Sequence, residues 1–199
     1  MMSTSEPYGD PDTRARLLDA AWRLVAEHGS SLRLSDVAAA GSVSRQAVYL
    51  HFGDRAGLLV ALVQHMDETL DLAEALGAVH DAADGAALLE AAMRLNTTFW
   101  HQVRPVASVL EAAQHDDEAL GAAWRDRMGF RQATFRGMVE RLAELGELDD
   151  EWTIDDAAAV LYAVAHFDTW RELVVELDWT DDRYVEAMTR TLARALLSG

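Results

Sequence analysis

The sequence predicts an all-α protein, and three observations carry that expectation. The three prolines are Pro7, Pro11 and Pro105, so long stretches rich in Ala, Leu, Arg and Glu run without interruption. Apolar residues recur three and four positions apart, which is the period of one helix face. Short alternating runs bounded by turn residues, the mark of strands, do not occur. The pattern divides into about nine helices. It reads as a flexible N-terminal arm (1–11), a three-helix helix-turn-helix domain (12–53) and a C-terminal helical domain (54–199), to which the resemblance given below assigns ligand binding and dimerisation.

Each element has its own signals. Asp12 or Thr13 is placed to cap the first helix, whose stripe is Leu17, Leu18, Ala21, Trp22 and Val25, with Gly29 as its stop. A short helix over 34–40 ends at Gly41-Ser42-Val43, and Ser44 caps a third helix over 45–52. Asp54 caps a long fourth helix with Leu59, Leu62, Met66, Leu70 and Ala73 on one side. Residues 77–85 read as a polar loop. Leu88, Ala92, Leu95 and Phe99 mark a fifth helix, and Pro105 suits the first turn of a sixth that ends near His115. A seventh helix spans 118–145 through Trp124, Met128, Phe135, Met138, Leu142 and Leu145, with a break or kink expected near Gly121 or Gly129. Thr153 and Thr180, each followed closely by two aspartates, open the last two helices. Helix eight carries Val160, Ala163, Phe167, Trp170, Val174 and Leu177; helix nine carries Val185, Met188, Leu192 and Leu196.

Composition narrows the function. With no cysteine there are no disulfides and no thiolate metal sites. The seven histidines form no His-Glu-x-x-His pair, and neither a glycine-rich phosphate loop nor a nucleophile motif is present. No catalytic residue, cofactor or metal is expected, and the chain is not expected to be an enzyme. The N-terminus lacks a signal-peptide pattern, and no apolar run approaches the roughly 20 residues that span a bilayer, so a cytoplasmic location is expected. The net charge is −17, and every basic residue is arginine. Residues 1–60 hold six Arg against seven Asp and Glu; the remaining residues hold eleven against twenty-seven. Any DNA therefore belongs with the near-neutral N-terminal third.

Residues 34–52 carry the most information. Val37, Ala38, Val43 and Val48 make a small core for two short helices, and Arg45, Gln46, Ala47, Tyr49 and His51 are left on or near the outer face. Arg45 suits the O6 and N7 of guanine, and Gln46 the N6 and N7 of adenine. Ala47 permits close backbone approach and a thymine-methyl contact. Tyr49, His51 and Arg55 suit phosphates, which fix register without reading sequence.

The run Asp36-Val-Ala, Gly41, Val43-Ser-Arg, Val48-Tyr-Leu-His-Phe, Arg55 and Leu58-Leu resembles the TetR family of bacterial repressors over residues 13–62. Farther on, the resemblance rests on helix lengths and the stretch from Trp170-Arg-Glu-Leu to Trp179 and Tyr184. It implies about nine helices: three for DNA, a middle set around a small-molecule pocket, and a last pair joining two subunits through residues 153–198. It also implies base reading by Arg45, Gln46 and Ala47, and phosphate contact by Tyr49, His51 and Arg55, with Ser44 and Arg33 completing the expected DNA-binding set. Two positions depart from the family pattern. Gly41-Ser42 stands where Ala-Gly is usual, and Arg33 where Thr or Ser often caps. Either Ser31 or Ser35 takes the cap, or Arg33 itself contacts phosphate.

For the pocket, the large side chains of the middle helices supply the candidates: Met66, Leu70, Leu95, Phe99, Trp100, Trp124, Met128, Tyr162, His166 and Trp170, with Asn96 as a further polar group. The expected partners are double-stranded operator DNA, a small-molecule effector and a second copy of the chain. A repressor released by its ligand through movement of the fourth helix is the expected mechanism. The alternative is a helical small-molecule-binding protein, or an enzyme, that kept the fold without operator binding.

Overall fold

A computed structural model of the chain describes residues 11–70 and 72–198; the expected arm lies almost wholly outside them. The described residues are helical, with one isolated antiparallel bridge between Leu148 and Leu197. The helices are α1 (Pro11–His28), α2 (Leu34–Ala40), α3 (Arg45–Phe52), α4 (Arg55–Thr69), α5 (Leu72–His80), α6 (Gly85–Ala113), α7 (Glu118–Glu144), α8 (Ile154–Val164), α9 (Phe167–Trp170) and α10 (Asp181–Leu196), with a π-helical segment at Arg171–Glu176. They group into two compact units. The first runs to Leu70 and takes in Arg104–Arg125; the second comprises Asp71–Val103 and Asp126–Gly199. Helices α6 and α7 contribute residues to both.

In the first unit, α1 lies against α2 and α4, and α3 against α2 and α4. Leu17, Leu18, Val25, Val37, Val48, Leu58, Leu59 and Leu62 are buried. Each such side chain stabilises the fold by about 1.5–3 kcal/mol relative to exposure. The caps at Ser44 and Asp54 form as expected: the Ala47 amide donates to Ser44 Oγ at 3.1 Å, and the Gly57 amide to Asp54 Oδ1 at 2.8 Å. Gly29 stops α1 with φ +52°. His65 on α4 meets Asp19 on α1 at 2.7 Å. Arg14 stacks over the Phe52 ring at 5.6 Å, tying α1 to the end of α3.

In the second unit α8 and α10 pack together, and both threonine caps form. The Asp156 amide donates to Thr153 Oγ1 at 3.1 Å and the Arg183 amide to Thr180 Oγ1 at 3.3 Å. The C-terminus is tied back by Asp149 N to Leu196 O at 2.9 Å and Trp152 Nε1 to Ala195 O at 2.6 Å.

Several expected boundaries shift. Helix α1 runs from Pro11, so Asp12 and Thr13 sit in its first turn. The fourth helix ends at Thr69, and Ala73 falls in α5. Most of the expected 77–85 loop is helix, because Gly77 weakens α5 without breaking it. Pro105 lies inside a continuous α6 and starts no helix. Its missing N–H costs the single bond to the His101 carbonyl, which the flanking turns outlast. Helix α7 has no break at Gly121 or Gly129. The single eighth helix of the sequence reading is interrupted at Ala165–His166. There the His166 ring accepts from the Asp168 amide at 3.3 Å and starts α9, which passes into the π-helical turn.

The α2–α3 turn explains the displaced glycine. Gly41 has an ordinary φ of −81°, while Ser42 takes the left-handed φ of +56°. Gly41 is needed for space: a Cβ there would lie 2.3 Å from Leu17 Cδ2 and 3.3 Å from the Val37 carbonyl oxygen. Ser42 bears the backbone strain that glycine would remove. Accordingly, Ser42→Gly is expected to add about 1 kcal/mol of stability, which for a chain of this size raises Tm by about 2–4 °C. Thermal unfolding of the variant checks this.

Glycine within α7 gives a test of sign. A Cβ at Gly121 would lie 2.4 Å from the Gln114 carbonyl oxygen, whereas nothing stands within 4 Å of one at Gly129. Gly129→Ala should stabilise by about 1 kcal/mol, while Gly121→Ala should destabilise despite the same gain in helix propensity. Denaturant midpoints of the two variants should move in opposite directions.

Candidate nucleic-acid interface and ligand site

Helix α3 presents its polar face as its sequence dictates. Val48 and Phe52, four residues apart, are buried against the unit's core. Arg45, Gln46 and Tyr49 are exposed, Ala47 and His51 half-buried. Tyr49 is 44% exposed. Leu50, at 54%, joins this face and was not anticipated; an apolar residue between Tyr49 and His51 reads from sequence as core. Ser44 is exposed, but its hydroxyl is engaged in the cap, which fixes the first turn beneath Arg45 and Gln46. No acid lies in that first turn, so the positive end of the α3 dipole is uncompensated by the chain.

Arg33 and Arg55 flank this face differently. Arg33 stands at the N-cap position of α2 with its side chain making no cap, and neither Ser31 nor Ser35 supplies one. Its guanidinium is exposed. Arg55 donates from Nε to the Leu32 carbonyl at 3.3 Å and from Nη2 to the Ser30 carbonyl at 3.0 Å. It thereby holds the turn before α2 against the start of α4, with Nη1 left for an outside partner.

The ten residues named for a ligand divide between the units. Met66, Leu70 and Trp124 belong to the first; Met66 and Trp124 are buried there. Leu95, Phe99, Trp100, Met128, Tyr162, His166 and Trp170 belong to the second, where five of them join one aromatic cluster. Phe99 and Trp100 meet edge-on at 5.2 Å, Trp100 lies 4.7 Å from Phe167, and Phe167 stacks on Trp170 at 6.2 Å. Tyr162 meets His166 at 5.5 Å and Phe135 at 6.3 Å. Trp100 and Trp170 are buried, with their N–H groups on the Ala165 carbonyl and on Thr97 Oγ1. Phe99, Tyr162, His166, Leu95 and Met128 are half-buried.

At the middle of the cluster stands a residue absent from the sequence reading, Arg131. Its guanidinium carbon lies 4.3 Å from the Trp100 ring, 5.1 Å from Phe99 and 5.2 Å from Phe135. Nη2 donates to Asn96 Oδ1 at 2.6 Å and to the Ala165 carbonyl at 3.3 Å. Asn96 is itself buried and held by its Nδ2 on the Tyr184 hydroxyl at 2.9 Å. Burial lowers the Arg131 guanidinium to about 10, still protonated at neutral pH. Burial also pushes the Tyr184 phenol up to about 12 and raises Tyr162. The signal for Arg131 lay in the helix-seven stripe, which skips from Met128 to Phe135; the position three residues after Met128 is the arginine.

A separate cleft of about 470 Å³ opens among α5, the start of α6 and α7. Leu76, Val79, Leu88, Phe130, Met138 and Arg141 are among its walls, and none of the ten expected residues lines it. Its arginine is paired, Arg141 Nη1 to Glu144 at 3.2 Å. Among the described residues no group of acids and histidines is arranged to hold a metal, and no helix is long and apolar enough to cross a membrane.

Residues 17–62 match the family described as bacterial regulatory proteins, tetR family. Over 61 residues the chain is 38% identical to the HTH-type transcriptional regulator TtgR of Pseudomonas putida, a match that takes in 30% of this chain and 29% of that protein. The match thus spans less than a third of the curated relative. Among solved structures, a regulator from Saccharomonospora viridis in complex with choline aligns over 96% of this chain and all of its own, with a TM-score of 0.81 at 17% identity. FadR of Bacillus subtilis, in complex with stearoyl-CoA, aligns over 92% and 97% with a TM-score of 0.69 at 16% identity. At those identities the two structures speak for the fold, and the α1–α4 segment speaks for kinship. Residues 17–62 are thus similar to the N-terminal segment of bacterial regulatory proteins of the tetR family, and the chain shares the fold of these solved structures.

Proposed function

We propose that the protein is a homodimeric transcriptional repressor that grips operator DNA with α3 and lets go when a small effector binds. The observation that carries this reading is the outward set Arg45, Gln46 and Tyr49 on a helix capped by Ser44 and pinned by buried Val48. Arg45 and Gln46 have the donor patterns that read guanine and adenine edges, and Ala47 leaves room for the backbone to come near. Arg33, Tyr49, His51 and the free end of Arg55 serve the phosphates, and the Ser44 turn positions them.

Dimerisation falls to α8 and α10. Their half-exposed or exposed residues include Ala159, Val160, Ala163 and Val164 on one helix and Ala187, Met188, Thr191 and Ala195 on the other. These are small or apolar side chains at helical spacing, suited to close helix contact across a two-fold axis. Such a dimer sets two recognition helices about 34–36 Å apart, one turn of DNA. Effector binding is supported by two proteins of similar fold, whose structures hold compounds as different as choline and stearoyl-CoA. An effector releases DNA only to the extent that it binds the released state more tightly.

Mobility shift against the DNA upstream of the protein's own coding sequence is the direct test. Binding should fall steeply with salt, and Arg45→Ala should cost about 1–3 kcal/mol on the operator while leaving non-specific binding nearly intact. Tyr49→Phe should weaken all sequences alike. Unchanged operator affinity in both variants contradicts the assignment.

For the interface, Ala163→Arg together with Thr191→Arg should convert the protein from dimer to monomer in sedimentation analysis, with helical content retained. A wild-type monomer at micromolar concentration would be evidence against it.

A further inference from the structure

Several arginines of the second unit spend their charge on an acid. Arg94 pairs with Glu90 and Asp182, Arg136 with Glu140 and Asp155, Arg141 with Glu144, Arg171 with Asp168 and Arg190 with Glu186. Arg131 does not. Among the described residues its partners are one amide oxygen, one backbone carbonyl and three aromatic rings, and no carboxylate lies within 4 Å. Its Nε is buried without any hydrogen-bond partner. Of the five N–H groups of a guanidinium, those on Nη2 are engaged, leaving the Nε and Nη1 donors unanswered. A cation withdrawn from water in this way is expensive unless something anionic completes it. The chain carries twice as many acids as arginines, yet places none here.

The group is also held ready. Asn96 fixes Nη2, and Tyr184 fixes Asn96, so the guanidinium plane is set before any ligand arrives. Around it stand half-buried Phe99, Tyr162 and His166, which give an apolar, aromatic approach. Phe99, Trp100 and Phe135 form the kind of ring enclosure that binds organic cations, but the chain's own guanidinium already fills it.

We propose that Arg131 is the docking point for the carboxylate of an effector with an apolar body, and that the same guanidinium, as resident cation of the aromatic enclosure, bars cationic effectors. With both Nη2 hydrogens engaged, the carboxylate is held by single charge-assisted N–H···O bonds from the donors left over, on a cation whose plane is already set. The body of the ligand then lies against Phe99 and Tyr162. As the chemistry of the effector, this rests on the reading of the chain as an effector-responsive regulator; the binding site itself is tested without DNA.

The test is calorimetry and thermal shift on the full-length, DNA-free protein with phenylacetate, cinnamate and octanoate at millimolar concentrations. Phenylacetamide and benzyltrimethylammonium serve as neutral and cationic counterparts. The carboxylates should bind and raise Tm, and the counterparts should not. Arg131→Met should weaken carboxylate binding by about tenfold or more, and Arg131→Lys by less, since charge remains. If Arg131→Met does not fold, the neutral Arg131→Gln decides: wild-type carboxylate affinity in that variant overturns docking on the guanidinium. Binding of benzyltrimethylammonium by the wild type, failure of all three carboxylates, or loss of their binding in Arg141→Met and not in Arg131→Met would each overturn the proposal. Operator binding measured without any carboxylate reports separately on the regulatory reading.

Discussion

The packing of α1 onto the turn between α2 and α3 is the constraint from which the geometry of the outward α3 face follows. Leu17 occupies the space that a side chain at position 41 would need, so α1 lies directly on that turn. Val37 and Val48 close the same small core from either side and are fully buried. With Val48 and Phe52 committed inward, the helical period leaves Arg45, Gln46 and Tyr49 no direction but outward. Ser44 then closes the first turn of α3 by its own hydroxyl. The chemistry of the recognition face is therefore set by apolar residues that never touch a ligand. Ser42 carries a left-handed backbone conformation because the glycine of this turn is used for space rather than for its dihedral freedom.

A comparable logic holds in the second unit, with polar groups in place of apolar ones. Trp170 donates to Thr97, Thr97 to Asp181, and Asp181 also meets His101 at 2.8 Å. Alongside, Asn96 joins Tyr184 to Arg131. These bonds link α6 to the α9–α10 region and to α7, with Asn96, Thr97, Trp170 and Tyr184 buried and the Asp181 and His101 ends exposed. Such networks favour one arrangement of side chains over its near neighbours. The unanswered Nε of Arg131 is the exception, at the place where the aromatic rings converge.

Local signals were the legible part of the fold. Ser44, Asp54, Thr153 and Thr180 each cap the helix that the sequence assigns them, because a cap is decided by a few adjacent residues. Less legible were boundaries decided by tertiary packing. Gly77 and Pro105 look like breakers but sit inside helices that packing holds together. The apolar stripe from Val160 to Leu177 looks continuous, yet the chain breaks at Ala165–His166, where Arg131 and Trp100 both use the Ala165 carbonyl. The outward polar face of α3 was legible because polar residues after a cap, with Val48 turned inward, have few other arrangements. Arg131 was missed because a charged residue in a helical sequence normally marks the solvated face. Only the gap it fills between Met128 and Phe135 betrays it.

The central claim is that α3, and not the acidic C-terminal helices, meets DNA. Amide hydrogen exchange with and without an operator duplex measures this most directly. The account predicts added protection over residues 33–55, strongest from Ser44 to Tyr49, with the amides of 126–199 unchanged in their surface segments. Unaltered exchange in α3, or new protection centred on the acidic C-terminal helices, would contradict it.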